Sequence, residues 1–232
     1  MTDAKALLLV MQNVKKGSEE AHERWYAGQH LSDVCSVDGV IRGEYAVLAN
    51  PDGSERWQKA AIYWLSRDPA PVLATVTEKS ASGEWDLSGV AMIDRATTMM
   101  AMGEALTGRI RSAITPDASG KERLHYIVLT NSTPGDDDAF NHWYDMVHLT
   151  DVLAVPGFVA AQRFRLVDSP GLAAYPYRYC AIYEVLAREA EAAFAELEAR
   201  AGTERMVLSP TLDMTDVHAQ CFRVVESCAG AA

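Results

Sequence analysis

The sequence predicts an α+β protein made of two tandem β-α-β-β-α-β units, and three observations carry that expectation. The first is an internal repeat. Trp25-Tyr26-x-x-x-His30-Leu31-x-Asp33-Val34-x-x-Val37-x-Gly39 returns as Trp143-Tyr144-x-x-x-His148-Leu149-x-Asp151-Val152-x-x-Val155-x-Gly157 at a constant offset (143 − 25 = 118), with eight of fifteen positions identical. A duplicated stretch of this length marks two copies of one fold in one chain. Second, apolar runs of strand length and helix-patterned stretches follow the same order in both halves. Third, 232 residues suit two units of about 100 to 120 residues each.

Copy one opens with the apolar run Ala6 to Asn13, and copy two with Leu124 to Asn131. A polar loop follows each, then an acidic helix start at Glu19-Glu20 or Asp136-Asp137-Asp138, where carboxylates face the positive end of the helix dipole. The repeated motif lies on that helix, which yields to a turn at Asp38-Gly39 or Pro156-Gly157. Second strands are expected at Val40 to Leu48 and Phe158 to Val167, and third strands at Ala60 to Leu65 and Tyr179 to Glu184. The offset grows to 120 there, because Ala61-Ile62-Tyr63 matches Ala181-Ile182-Tyr183, so the hairpin loop of copy two is two residues longer. The Ala/Glu-rich stretch Ala187 to Ala201 has high helix propensity, and its copy-one partner near Pro69 to Ser80 reads more weakly. Fourth strands are placed at Val217 to Val225 and between Met99 and Ile110. The order is the ferredoxin-like split βαβ arrangement. The expected domains are 1–114 and 123–228, joined by a linker at 115–122. Two such sheets can bury their bare faces against each other and enclose a barrel-like interior.

Composition narrows the classes of function. A net charge of −11 without a Lys/Arg cluster argues against nucleic acid or an anionic membrane as partner. No apolar run approaches the roughly 18 residues of a spanning helix, and the N-terminus lacks a signal-peptide layout, so a cytoplasmic protein is expected. Cys35, Cys180, Cys221 and Cys228 show no CxxC spacing and none recurs between copies. Reduced, mostly buried thiols are the expectation.

The order of elements, and a helix ending in aromatic-Tyr-x-x-x-His-Leu-x-Asp-Val with Pro156-Gly157-Phe158 after it in copy two, resemble the dimeric α/β-barrel superfamily, and within it the EthD-like proteins. The resemblance covers both copies and implies a tandem fusion that pairs sheet to sheet as an intramolecular barrel. It also implies a histidine at the end of the first helix acting as acid or base beside the pocket, carried over here to His30 and His148. The usual glutamate before that histidine is absent, Gln29 and Val147 standing in its place.

His30 and His148 are the candidate catalytic residues, since histidine is the side chain best suited to proton transfer near neutral pH. Their structural alternative is a cap on the carbonyls at a helix end. Tyr26 and Tyr144 lie four residues before the histidines and share their helical stripe, which makes them candidate substrate contacts or packing groups. On a 100° step, Trp25 falls about 140° around the helix from His30; Trp143 is the matching aromatic. Arg163, on the second strand of copy two where copy one has Tyr45, could hold a carboxylate or enolate. Asn13 and Asn131 could bind a substrate oxygen or tie down a loop. Asp33 and Asp151 could orient the imidazoles or end the helix. No HExxH motif, cysteine pair or third ligand is evident, so neither metal nor cofactor is expected.

The leading functional expectation is a cofactor-independent lyase, dehydratase or isomerase. It would move protons at His30 and/or His148 on a small apolar carbonyl or aromatic catabolite. The alternatives are a cofactor-free or haem-linked monooxygenase or dehydratase, and a non-catalytic ligand-binding accessory protein. A homodimer is a further possibility.

Overall fold

A computed structural model describes residues 3–50, 55–116, 122–167 and 175–230. Copy one runs β1 (Ala6–Val14), α1 (Glu19–Trp25), a π-helical turn (Tyr26–His30), α2 (Leu31–Cys35), β2 (Val40–Leu48), β3 (Lys59–Leu65), α3 (Pro69–Ser82) and β4 (Ile93–Ala105). A short β5 (Ile110–Arg111) follows. Copy two then runs β6 (Arg123–Thr130), α4 (Asp137–Trp143), a second π-helical turn (Tyr144–His148), α5 (Leu149–Leu153), β7 (Phe158–Val167), β8 (Tyr179–Leu186), α6 (Ala190–Arg200) and β9 (His218–Ala229). The fold is α+β, with strands paired antiparallel.

Two compact units emerge, and they interleave along the chain. The first holds residues 1–105, 166–175 and 222–232, with strand order β4-β1-β3-β2-β9. Strand β1 is buried at nearly every position on both faces and pairs with β3 and β4 at its two edges, so its apolar run shows no polar alternation. The later part of β9 pairs with β2, from Arg42↔Ala229 to Leu48↔Phe222. That pairing is why a strand belonging to copy two by sequence counts with the first unit. The second unit holds residues 106–165 and 176–221, with order β6-β8-β7-β5; β8 is buried along its whole length.

The punctuation residues have direct causes. Asp68 caps α3 by accepting the Ala70 N–H at 2.9 Å, Pro69 opens it, and Gly83 closes it at φ +80°, the expected asymmetry of helix ends. Gly39 and Gly157, at equivalent places in the two copies, take φ +97° and +95°. Only glycine adopts such values without strain, which is why both copies keep it ahead of their second strand.

Several expectations are corrected. Strand β4 begins at Ile93, ahead of the expected Met99, and its early part escaped notice because a bulge breaks its alternation. Cys35 and Cys228 form a disulfide inside the first unit, against the expectation of reduced thiols. The pair was illegible because its members lie 193 residues apart, one in each copy. Cys180 and Cys221 are free. Most of the expected linker at 115–122, and the core of the longer hairpin loop at 168–174, lie outside the described residues. Among the described residues no helix is long and apolar enough to cross a membrane.

One contact on the first unit's helix face sets up the site. Gly89 packs flat against the Trp25 indole, where an added Cβ would overlap the ring, and Trp25 Nε1 donates to the Asp86 carbonyl at 2.8 Å. Overpacking of this kind costs about 1–3 kcal/mol. Gly89→Ala is therefore expected to lower unfolding free energy by that amount in urea titration and to change the near-UV signal of Trp25. An unchanged midpoint and spectrum would refute the packing described.

Candidate functional site

The two π-helical turns determine the site. Leu31 N–H donates to the Tyr26 carbonyl and Leu149 N–H to the Tyr144 carbonyl, an i→i+5 register that brings residues five apart onto one side. Trp25 consequently stacks on His30, with ring centroids 4.5 Å apart and planes at 16°. Trp143 stacks on His148 at 4.8 Å and 29°. The 140° separation expected from an α-helical step is corrected by this local change of register. Each histidine also meets its tyrosine edge-on, at 4.9 Å for Tyr26 and 4.8 Å for Tyr144.

Each unit holds a cavity against this turn. The first has a volume of about 370 Å³ and the second about 280 Å³, close to the lower end of small-molecule sites. Seven equivalent positions line both. Val10/Val128, Tyr26/Tyr144, His30/His148, Val34/Val152 and Tyr63/Tyr183 are identical pairs, while Leu8/Tyr126 and Gln12/Thr130 differ. The tyrosines pair by their hydroxyls, Tyr26 with Tyr63 at 3.0 Å and Tyr144 with Tyr183 at 3.1 Å. Burial raises all four; Tyr26 reaches about 12, and Tyr63 and Tyr183 go well above 10.0. These phenols stay protonated at neutral pH.

Burial pushes His30 and His148 down to about 4, a neighbouring Asp33 opposing the shift at His30 and Arg163 reinforcing it at His148. Both rings are neutral at pH 7. In each, Nδ1 is buried without a hydrogen-bond partner. A buried N–H without an acceptor is costlier and rarer than an unshared lone pair. The ring proton therefore sits on Nε2, the nitrogen open to the cavity. Each imidazole is a hydrogen-bond donor and a weak base: lifting a proton from a phenol near 10 onto a group near 4 is uphill by about 8 kcal/mol. A metal- or haem-ligating imidazole passes its other N–H to an acceptor, which neither ring has, so these histidines do not fit that role. Among the described residues no group of three or more His, Cys, Asp or Glu could hold a metal ion.

The remaining candidates occupy varied places. Trp25 lines the first cavity, whereas Trp143 does not line the second and spends Nε1 on the Val207 carbonyl at 3.2 Å. Asn13 and Asn131 line neither cavity. Asn13 Nδ2 donates to the Arg56 carbonyl at 2.9 Å and its Oδ1 accepts Gln58 N–H at 2.8 Å. Asn131 repeats this with Pro176 and Arg178, at 2.8 and 2.9 Å. Both tie down the loop before the third strand. Asp33 accepts from Gln29 at 2.7 Å and not from His30. Tyr63 and Tyr183 were missed as site residues, although their identity at offset 120 marked them.

Arg163 is fully buried and lines neither of these two cavities. It lies over the Tyr144 ring at 3.9 Å, bonds Asn141 at 3.0 Å and pairs with Asp145. Copy one solves the same packing problem with the chemistry exchanged. Tyr45, at the position of Arg163, stacks on Tyr26 at 4.6 Å and 16°. Lys59, at the position of Tyr179, pairs with Glu23 at 3.0 Å, where copy two has Asn141. Behind Tyr45, His22 bridges its hydroxyl (3.3 Å) to Gln12 Nε2 (3.2 Å) in the cavity wall.

No protein-family model and no curated protein sequence matches the chain. Among solved structures, an anthrone oxidase-like protein superposes with TM-score 0.68 at 10% identity, over 100% of this chain and 95% of that one. A putative monooxygenase from Lactobacillus acidophilus NCFM gives 0.62 at 10% identity over 99% of both chains. A mutant chlorite dismutase from Candidatus Nitrospira defluvii gives 0.54 at 10% identity, over 96% and 92%. Likenesses this distant establish the fold alone, which is of the dimeric α/β-barrel kind. They also correct the leading functional expectation. The matching structures carry oxidase, monooxygenase and dismutase names where a lyase or isomerase was expected, and the weakly basic histidines fit proton abstraction poorly.

Two outcomes check this geometry. The imidazole Cε1–H resonances of His30 and His148 are expected to titrate near 4. Because these values lie below the unfolded 6.5, the unfolded chain binds protons first as pH falls. Stability should drop between 6.5 and 4, by on the order of 1–3 kcal/mol per ring, and level off below; midpoints near 6.5 would contradict it. Next, Arg163→Tyr, Tyr179→Lys and Asn141→Glu import the copy-one arrangement. Each alone is expected to cost about 1–3 kcal/mol, and the triple variant at least about 1 kcal/mol less than their sum in chemical denaturation. Strictly additive losses would deny the exchange.

Proposed function

We propose that this protein is an oxygenase that uses cavities of one repeated design to oxidise small electron-rich aromatic compounds, phenols or anthrone-like ketones bearing an activated methylene, with dioxygen. The observation that carries the reading is the cavity repeated in both units: a neutral, tryptophan-stacked histidine donor beside a hydrogen-bonded tyrosine pair in otherwise apolar walls. The likeness to anthrone oxidase-like and monooxygenase structures supports it. So does the internal repeat, in which we read a tandem pair of ferredoxin-like copies of EthD kinship.

The chemistry follows from what the walls offer. A compound of this class gives its proton to solvent on entering and binds as a delocalised oxyanion, and fixed N–H and O–H donors in an apolar cavity stabilise such charge more than they would in water. The anion passes one electron to dioxygen, and the two radicals join through a new carbon–oxygen bond at the former methylene carbon. A proton returned from solvent completes the hydroperoxide. Loss of the remaining hydrogen from that carbon, with cleavage of the oxygen–oxygen bond, then leaves a carbonyl and one water. The substrate methylene supplies all four electrons that dioxygen takes up, so the balance needs no separate reductant. His30 and His148 hold the developing charge on oxygen, and the Val10/Val34 and Val128/Val152 walls keep water from the radical pair.

Oxygen uptake with anthrone as probe, with heavy-isotope dioxygen to label the product, tests this. One labelled atom per carbonyl formed is expected, and the His30→Ala/His148→Ala variant should lose about 10²–10³ in rate, as for removal of an oxyanion donor. No protein-dependent uptake above the uncatalysed background, across anthrone and 1-naphthol, would end the proposal.

A further inference from the structure

The cavities share a design yet differ in charge. Among the described residues, the wall of the second includes no Lys, Arg, Asp or Glu. The first has one such residue, Arg95, near the start of β4. Its position results from a bulge: β1 and β4 pair at Met11↔Met99 and resume at Asn13↔Asp94, so the four residues Arg95 to Thr98 stand opposite Gln12 alone. Bulges of this kind re-aim side chains beside functional sites. This one is firmly held. Asp94 Oδ1 accepts the Ala96 N–H at 3.1 Å, the Thr97 and Thr98 hydroxyls donate to the Asp94 carbonyl at 3.0 and 3.1 Å, and Trp57 Nε1 donates to the Thr97 carbonyl at 2.6 Å. The carboxylate of the preceding Asp94 is thus turned to the backbone, and Arg95 enters no ion pair among the described residues. It also borders a neighbouring hollow of about 270 Å³ that contains Arg56.

We infer that Arg95 is the specificity residue of the first cavity and selects aromatic substrates carrying a carboxylate or phenolate, while the second cavity takes neutral ones. A guanidinium offers two parallel donors to a carboxylate. On a chain of net charge −11, which otherwise repels anions, a cation at an apolar mouth discriminates strongly by charge. The inference deepens the oxygenase reading and rests on these cavities being substrate sites.

Binding separates the two. Intrinsic tryptophan fluorescence, with Trp25 in the first cavity wall, is titrated with 1-naphthoate and with the neutral isostere 1-naphthamide. The wild-type protein is expected to bind naphthoate roughly ten-fold tighter, with the preference shrinking at high salt because Arg95 is exposed. Arg95→Gln should abolish the preference and leave naphthamide affinity unchanged, and Arg95→Lys should restore part of it. An anion preference that survives Arg95→Gln, or no preference in the wild type, overturns the inference. Turnover is not required, so a failure to consume oxygen and a failure to select anions are distinct results.

Discussion

Everything at the site hangs on one hydrogen bond per copy, the i→i+5 bond that closes each π-helical turn. An α-helical turn would send the tryptophan and the histidine to different faces. The π register stacks them instead, and three consequences follow together. The indole covers one face of the imidazole. Nδ1 is driven into the protein, away from any acceptor. The ring loses so much solvent that its pKa falls from 6.5 to about 4. A π-turn costs helix regularity and is rare outside functional places. Its presence in both copies at identical positions ties that cost to the cavity beside it.

Behind the cavity wall the copies diverge in a compensated way. Tyr26 and Tyr144 each have a second partner over the ring besides the histidine. One receives a phenol, Tyr45, and the other a guanidinium, Arg163. A cation over an aromatic face is worth more when desolvated, yet a buried cation must be paired. Arg163 meets that demand with Asp145 and Asn141. In copy one the cation sits on the neighbouring strand as Lys59 and finds Glu23. Residues that look unrelated in alignment thus hold the same tyrosine in place.

Much of the fold was legible in the sequence. The 118-residue repeat and the apolar runs located most strands within one or two residues, from β1 through β8. The histidines and their tyrosines were legible because identity at a fixed offset points to a shared task. The rest was hidden for physical reasons. A π-turn leaves no compositional mark on Tyr26–His30, whose residues read as ordinary helix. The depth of Arg163 could not be read from its strand, because charged residues at such a place are usually solvated. The Cys35–Cys228 bond joins residues at non-equivalent positions of the two copies, so the repeat carries no sign of it. Arg95 escaped because a bulge erases the two-residue period that would have marked its strand.

A duplicated cavity frees one copy to change, and the pattern of change here is uneven. The five identical lining pairs include both histidines and all four tyrosines of the hydrogen-bonded pairs. Variation falls on the periphery. Gln12 and the His22 that tethers it are replaced by Thr130 and Phe140, and the Arg95 bulge has no charged counterpart among the described residues of the second wall. Had one cavity become mere support, the unpartnered Nδ1 and the desolvated imidazole there would be penalties without use, since a buried unsatisfied polar atom costs about 1–3 kcal/mol. Substitution to an apolar residue would remove that penalty. Both copies retain it, and both retain the tyrosine pair that faces the same space. Shared donors with altered rims fit the proposal of two cavities with different ligand preference.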